Sequence, residues 1–152
     1  MKTLIVYYSH GGNTGAAARR IAEQTGAPCA ALTPAAPYPG EYKPLAAQAW
    51  QEIQNGFLPP LADFPDLTGV THLLLGTPNW CGTMAPPIAA FLAGVSTDGL
   101  RILPFCTHGG GGPGKIAADL QKLCPRADIG PLLSIQGTEL AEEDLRAWLA
   151  AL

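Results

Sequence analysis

Ser9, His10, Gly11, Gly12, Asn13 and Thr14 form an unbroken run of hydroxyl, imidazole, glycine and amide residues between an apolar stretch and an Ala-rich one. Glycines at 11 and 12 permit a sharp turn and close approach of the backbone to a ligand. The amides of such a loop, and those of a helix's first turn, have no partner inside the helix, and the helix dipole favours negative charge beside them. The chemistry this suits is the binding of a phosphate. The same residues also read as an ordinary strand-to-helix turn capped by Asn13 or Thr14.

Two more runs carry polar and small residues: Thr77-Pro78-Asn79-Trp80-Cys81-Gly82-Thr83, and Cys106-Thr107-His108 followed by Gly109 to Gly114. Gly109 to Lys115 fits the start of a nucleotide-triphosphate loop, but Ile116 stands where a Ser or Thr must hold magnesium. Cys106 lacks the Arg that closes a thiol phosphatase loop. His10 and His108 can transfer protons, although a histidine in a surface loop is commonly only solvated. Cys29, Cys81, Cys106 and Cys124 are dispersed, with no Cys-x-x-Cys pair and no adjacent His pattern, so reduced thiols and no metal site are expected.

The elements that must position these loops follow from periodicity. Leu4 to Tyr8, Ala27 to Leu32, Val70 to Gly76, Leu100 to Phe105 and a stretch within Asp128 to Ile135 are short apolar runs, as in strands buried on both faces. Helical spacing separates them. The first helix follows Thr14; the second begins near Tyr42 with Leu45, Ala46, Ala49, Trp50 and Ile53 on a core face and Gly56 as a stop. The third opens on Pro86-Pro87, the fourth turns Ile116, Leu120 and Leu123 inward, and the last carries Leu140, Leu145, Trp148, Leu149 and Leu152. The segment FLPPLADFPDLTG, broken by prolines, is expected to be a long surface connection. Strand and helix alternate throughout, which predicts a parallel sheet covered on both faces.

The 152 residues suit one domain, 1–152, with a substantial core; 47% hydrophobic and 14% charged content excludes a disordered chain. The formal net charge of -3 leaves no basic footprint for nucleic acid and no Lys/Arg cluster for an anionic membrane. Met1-Lys2 precedes a run too short for a signal-peptide core, and no segment approaches transmembrane length, so a cytoplasmic location is expected.

The segment YYSHGGNTGAAARRIAE resembles the first phosphate-binding loop and helix of the flavodoxins, particularly short bacterial forms with Tyr-Ser, a Gly and Asn-Thr. Ser9, Gly11, Gly12, Asn13 and Thr14 match; His10 stands where other residues are common in the family. GTPNWCGTMAPPIAAFL is similar to the segment of the short forms in which Pro, a variable residue, Trp and a small pair precede a Pro-containing helix. The resemblance implies an α/β flavodoxin-like three-layer sandwich with a five-stranded parallel sheet in order 2-1-3-4-5, and FMN as cofactor. Ligands then belong at the carboxyl ends of the first and third strands, where the chain reverses direction.

On this resemblance Ser9 to Thr14 hold the phosphate, while Thr77, Pro78, Asn79, Trp80, Cys81 and Gly82, with Thr107, His108, Gly109 and Gly110, hold the ring. Trp80 supplies a flat apolar wall. Gly82, or the peptide joining Cys81 to it, supplies a carbonyl that can turn toward the ring. Many flavodoxins place a Tyr in the third loop, where this chain has only His108, so one ring face is expected to be less covered. The implied function is transfer of electrons between protein redox partners by a monomer, with no catalytic residue of its own. The alternative is an FMN-dependent reductase passing hydride from NAD(P)H to a quinone or other small acceptor. A third possibility is an interaction module that has lost its cofactor.

Overall fold

The computed structural model describes residues 1–152. Its elements in chain order are β1 (Thr3–Tyr7), α1 (Asn13–Thr25), β2 (Cys29–Ala31), α2 (Tyr42–Asn55), β3 (His72–Trp80), β4 (Thr83–Met84) and α3 (Pro86–Gly94). β5 (Arg101–His108), α4 (Ile116–Leu123), β6 (Asp128–Ile129), β7 (Leu133–Gln136) and α5 (Glu142–Leu149) complete it. The sheet runs β2-β1-β3-β5-β6, with β7 also on β5 and β4 on β3. Every pairing is parallel except the β3–β4 hairpin. This is the expected three-layer α/β architecture, with seven strands in place of five.

Both extra strands have local causes. The expected fifth strand is divided: β6 pairs with Arg101 and Ile102, and β7 with Phe105 to His108. Between them lies Gly130-Pro131-Leu132, and a proline has no amide to give a ladder. The other addition is β4. β3 does not stop at Gly76 but continues to Trp80, pairing Thr77 with Cys106 and Pro78 with Thr107. It then reverses through Cys81-Gly82 into Thr83 and Met84. A two-residue loop with φ of 55° and 85° is a type I′ turn, whose twist suits a hairpin. The second expected loop is therefore largely strand and hairpin.

Consecutive apolar residues on the strands divide between two cores, because side chains alternate across a sheet. Leu73 and Leu75 join Val6, Ile102, Ile88, Phe91, Ile116 and Leu120 on the α3–α4 face. Leu74 joins Ile5, Leu103, Phe105, Ile21, Leu145 and Trp148 on the α1–α5 face. Burying such a side chain contributes about 1.5 to 3 kcal/mol, so the central strands are fixed from both sides.

Four expectations fail at the periphery. The closing helix spans only Glu142–Leu149, so Leu140 and Leu152 lie outside it. Trp50 is 55% exposed rather than core, since its neighbour Ala49 takes the inward position on α2. Leu123 at the end of α4 is also exposed. The proline-rich connection is a packed strap: Ala62 donates to the Thr33 carbonyl, Ala35 to that of Pro60, and Phe64 stacks on Phe91. Its prolines exclude a helix but do not prevent packing.

Candidate cofactor site

The carboxyl ends of β1, β3 and β5 bring the three polar segments to one rim of the sheet. At the end of β1 the backbone turns through Gly11 and Gly12, both left-handed at φ 84° and 102°. A side chain at either would be strained, yet a Cβ there meets nothing within 4 Å, so open space lies over this cradle. Gly12 is the N-cap of α1, with no side-chain cap hydrogen bond. Neither Asn13 nor Thr14 caps the helix. The Ser9 hydroxyl instead accepts the Gly15 amide at 3.0 Å. Thr14 is buried and its hydroxyl lies 2.7 Å from that of Thr107, which joins the first loop to β5 from behind.

Between these ends opens a cavity of about 380 Å³. His10 and Asn13 of the first loop line it, as do Pro78, Asn79, Trp80 and Cys81 of the hairpin and Thr107, His108 and Gly109 of the third segment. Ser9 and Gly12 lie on the other flank of the first loop, along an open cleft that also meets Arg19 and Tyr38. Thr77 is buried below the hairpin, donating to the Pro78 carbonyl and accepting the Ala85 amide, so it ties the hairpin to the start of α3. Gly11, Gly82 and Gly110 shape the turns beside the wall without forming it.

The sequence reading missed one wall. Tyr42, Leu45, Ala46 and Ala49 of α2, with Gly137 after β7, complete the cavity. The helical period of α2 placed its small and apolar residues on an inward face, but nothing in the pattern distinguishes packing on a sheet from bordering a cavity. Tyr42 is 81% exposed at the rim, a phenol ring in a site whose third loop carries His108 and no Tyr.

Trp80 is gripped edge-on by Tyr8, Tyr38 and His10, with ring centroids 5.4, 5.0 and 5.9 Å away. Such T-shaped packing fixes a ring's plane. Tyr38 donates to the Glu52 carboxylate at 2.5 Å, which holds this cluster against α2. Burial, reinforced by the Glu52 charge, pushes the Tyr8 phenol up to about 12 and raises Tyr38 further, so both are neutral at ordinary pH.

The turn itself is constrained. Gly82 donates its amide to the Asn79 side chain at 2.9 Å, and its carbonyl accepts the Lys115 amide at 2.7 Å. The Gly82 carbonyl is therefore engaged, whereas the carbonyl of the peptide joining Cys81 to Gly82, that of Cys81, accepts no hydrogen bond. Across the cavity, His108 accepts the Gly110 and Gly112 amides on Nδ1 at 3.0 and 3.1 Å.

Cys81 is exposed and Cys106 buried, both as free thiols. No group of three or more His, Cys, Asp or Glu is placed to hold a metal ion. No helix is long and apolar enough to cross a membrane.

Solved structures share this architecture. A candidate flavoprotein from Bacteroides uniformis ATCC 8492 is 23% identical with a TM-score of 0.86, covering 98% of this chain and 97% of its own. A second, from Bacteroides eggerthii DSM 20697, is 24% identical at 0.83, with 98% and 96% covered. A flavoprotein from Lactobacillus acidophilus NCFM, solved in complex with FMN, is 21% identical at 0.79, with 97% and 98% covered. No curated protein is significantly similar in sequence. A family model described as Flavodoxin matches residues 2–152, and with nearly the whole chain matched the protein belongs to the flavodoxin family.

Proposed function

We propose that the chain binds FMN at this rim and, as a monomer, carries electrons between protein redox partners. The observation that carries the reading is the cavity at the switch point between β1 and β3, walled by Trp80 and free of carboxylate, lysine and arginine side chains. The FMN held by the similar Lactobacillus acidophilus protein supports it. FMN, when bound, supplies the redox chemistry. The amides of Gly11 to Thr14 and the N-terminus of α1 bind its phosphate. Trp80, fixed by its aromatic neighbours, provides the flat wall for the ring, and the Cys81 carbonyl is the acceptor that the turn can offer to a ring N–H.

The titratable groups on the wall are His10, Tyr42, Cys81 and His108. His108 is occupied with its own loop, and none of the others is hydrogen-bonded to a partner poised as base or acid. That favours carriage of electrons over chemistry on a bound substrate. Titration of the purified protein with FMN should quench flavin fluorescence with one site per chain, and the loaded protein should not sustain NAD(P)H oxidation with a quinone present. Sustained oxidation would move the reading to a reductase; failure to bind FMN would overturn both.

A further inference from the structure

A line of hydrogen bonds runs beside the cavity from the third loop to the hairpin turn. The His108 ring accepts the Gly110 and Gly112 amides on one nitrogen, Nδ1. Gly112 in turn presents its carbonyl to the Asn79 Nδ2, 2.6 Å away. The Asn79 Oδ1 accepts the Gly82 amide. The return path is closed by Lys115, whose amide donates to the Gly82 carbonyl, while Gly114 sits so close that a Cβ on it would lie 2.3 Å from that oxygen.

We propose that His108 and Asn79 are positioning residues that lock the Gly-rich loop and the Cys81-Gly82 turn into one unit, so that a proton on His108 Nδ1 releases the turn against which the cofactor ring rests. The chemistry is directional. A nitrogen that accepts two amides carries no proton while it does so. Protonation at Nδ1 turns the acceptor into a donor facing two donors. The loop holds four consecutive glycines, Gly109 to Gly112, which are free to change conformation once those bonds break, up to the anchor that the Lys115 amide makes with the Gly82 carbonyl. Gly112 then no longer presents its carbonyl to Asn79, and the Gly82 amide loses an oriented acceptor.

Other titratable or charged groups stand around the ring without bonding it. His10 of the first loop, Tyr42 of α2 and Cys81 of the turn share the cavity with it. Lys115 ends its own loop, Asp119 follows on α4, and Glu139 lies beyond Gln136, the β7 residue paired with His108. None makes an ion pair or hydrogen bond with the imidazole.

The inference rests on the FMN reading for its consequence but not for its geometry, and the test has an arm for each. In the intact chain without FMN, isotope-labelled for nuclear magnetic resonance, amide shifts are followed from about pH 8 to about pH 5. Gly110, Gly112 and Gly82 should titrate together with the His108 ring. In Asn79→Ala, Gly110 and Gly112 should still follow the ring while Gly82 does not; in His108→Asn, Gly82 should no longer titrate. A native Gly82 that stays still, or one that still follows the ring in Asn79→Ala, overturns the proposal.

The second arm measures FMN affinity. His108→Ala should weaken it about tenfold at pH near 8, as expected for two neutral hydrogen bonds. His108→Asn places Oδ1 where Nδ1 was and should recover most of that loss. The ratio of native to His108→Asn affinity cancels titration of the FMN phosphate and of His10, and it should fall as the pH is lowered. A flat ratio overturns the proposal; absence of FMN binding by the native protein overturns the cofactor reading and leaves the relay to be decided by the amide shifts.

Discussion

Trp80 is held from three sides by Tyr8, Tyr38 and His10, so its value to a ligand lies in a plane set before binding. Trp80→Ala should weaken FMN by about 2 kcal/mol, roughly thirtyfold in Kd, from lost apolar burial and aromatic contact. Trp80→Phe should lose much less. A Trp80→Ala protein with native affinity would place the ring elsewhere. The cluster behind it makes a separate prediction about pH. Tyr8 and Tyr38 have folded values raised above the ordinary 10.0, Tyr8 to about 12, chiefly by burial. A phenol raised on folding stabilises fully below its unfolded value and loses that contribution as pH rises toward its folded one. Stability in urea should thus hold to about pH 10 and decline above it. Tyr38→Phe should flatten that decline, at a cost near neutrality of about 2 kcal/mol for the lost bond to a charged carboxylate.

The elements were legible where one rule governed them and obscure where two met. Leu73, Leu74 and Leu75 announce a strand covered on both sides because no surface strand can bury three consecutive leucines, and their burial divides accordingly between the two cores. Ser9 to Thr14 announce a tight strand-to-helix turn through Gly11 and Gly12, which its left-handed backbone requires. Thr77 to Thr83 read as a loop because its turn carries Cys81 where a type I′ hairpin usually has Asn or Gly. The hairpin forms nonetheless, held by Asn79 to Gly82 and by Thr77 to Ala85. Cys81 has a positive φ of 55°, alone among the residues other than glycine. Such a conformation costs about 1 kcal/mol or more for a residue other than Gly, and Asn tolerates it better. Cys81→Asn should therefore stabilise the protein by about 0.5 to 1 kcal/mol, read as a higher urea midpoint at constant slope. Destabilisation would mean that the thiol's contact with the Ala46 carbonyl, 3.9 Å away, contributes more than the backbone strain costs. The missing wall has a different reason. Tyr42, Leu45, Ala46 and Ala49 obey the helical period, and that period is the same whether a helix face meets a strand or, as here, borders a void.

At the scale of the molecule, Asp, Glu, Lys and Arg are absent from the cavity wall while the chain as a whole carries a formal net charge of -3. No Asp or Glu lines the cavity, so negative charge gathered on a reduced ring meets no neighbouring carboxylate. The expected consequence is a final reduction step less negative than in a flavodoxin whose ring is ringed by acids. The inference can be tested within this chain by restoring one charge. Gly109 lies on the cavity wall with ordinary φ, and a Cβ added to it meets nothing within 4 Å, so a side chain fits without strain. Two like charges held at about 8 Å would repel by about 2 kcal/mol at an effective dielectric of about 20. Gly109→Asp should thus make the midpoint of the last electron more negative than Gly109→Asn, which has nearly the same shape without the charge. Added salt should shrink that difference, because the cavity is open and the Debye length falls from about 10 Å at 0.1 M to about 3 Å at 1 M. Equal midpoints for the two variants at low salt would show that local charge does not set this potential, leaving burial and hydrogen bonding to the ring as its determinants.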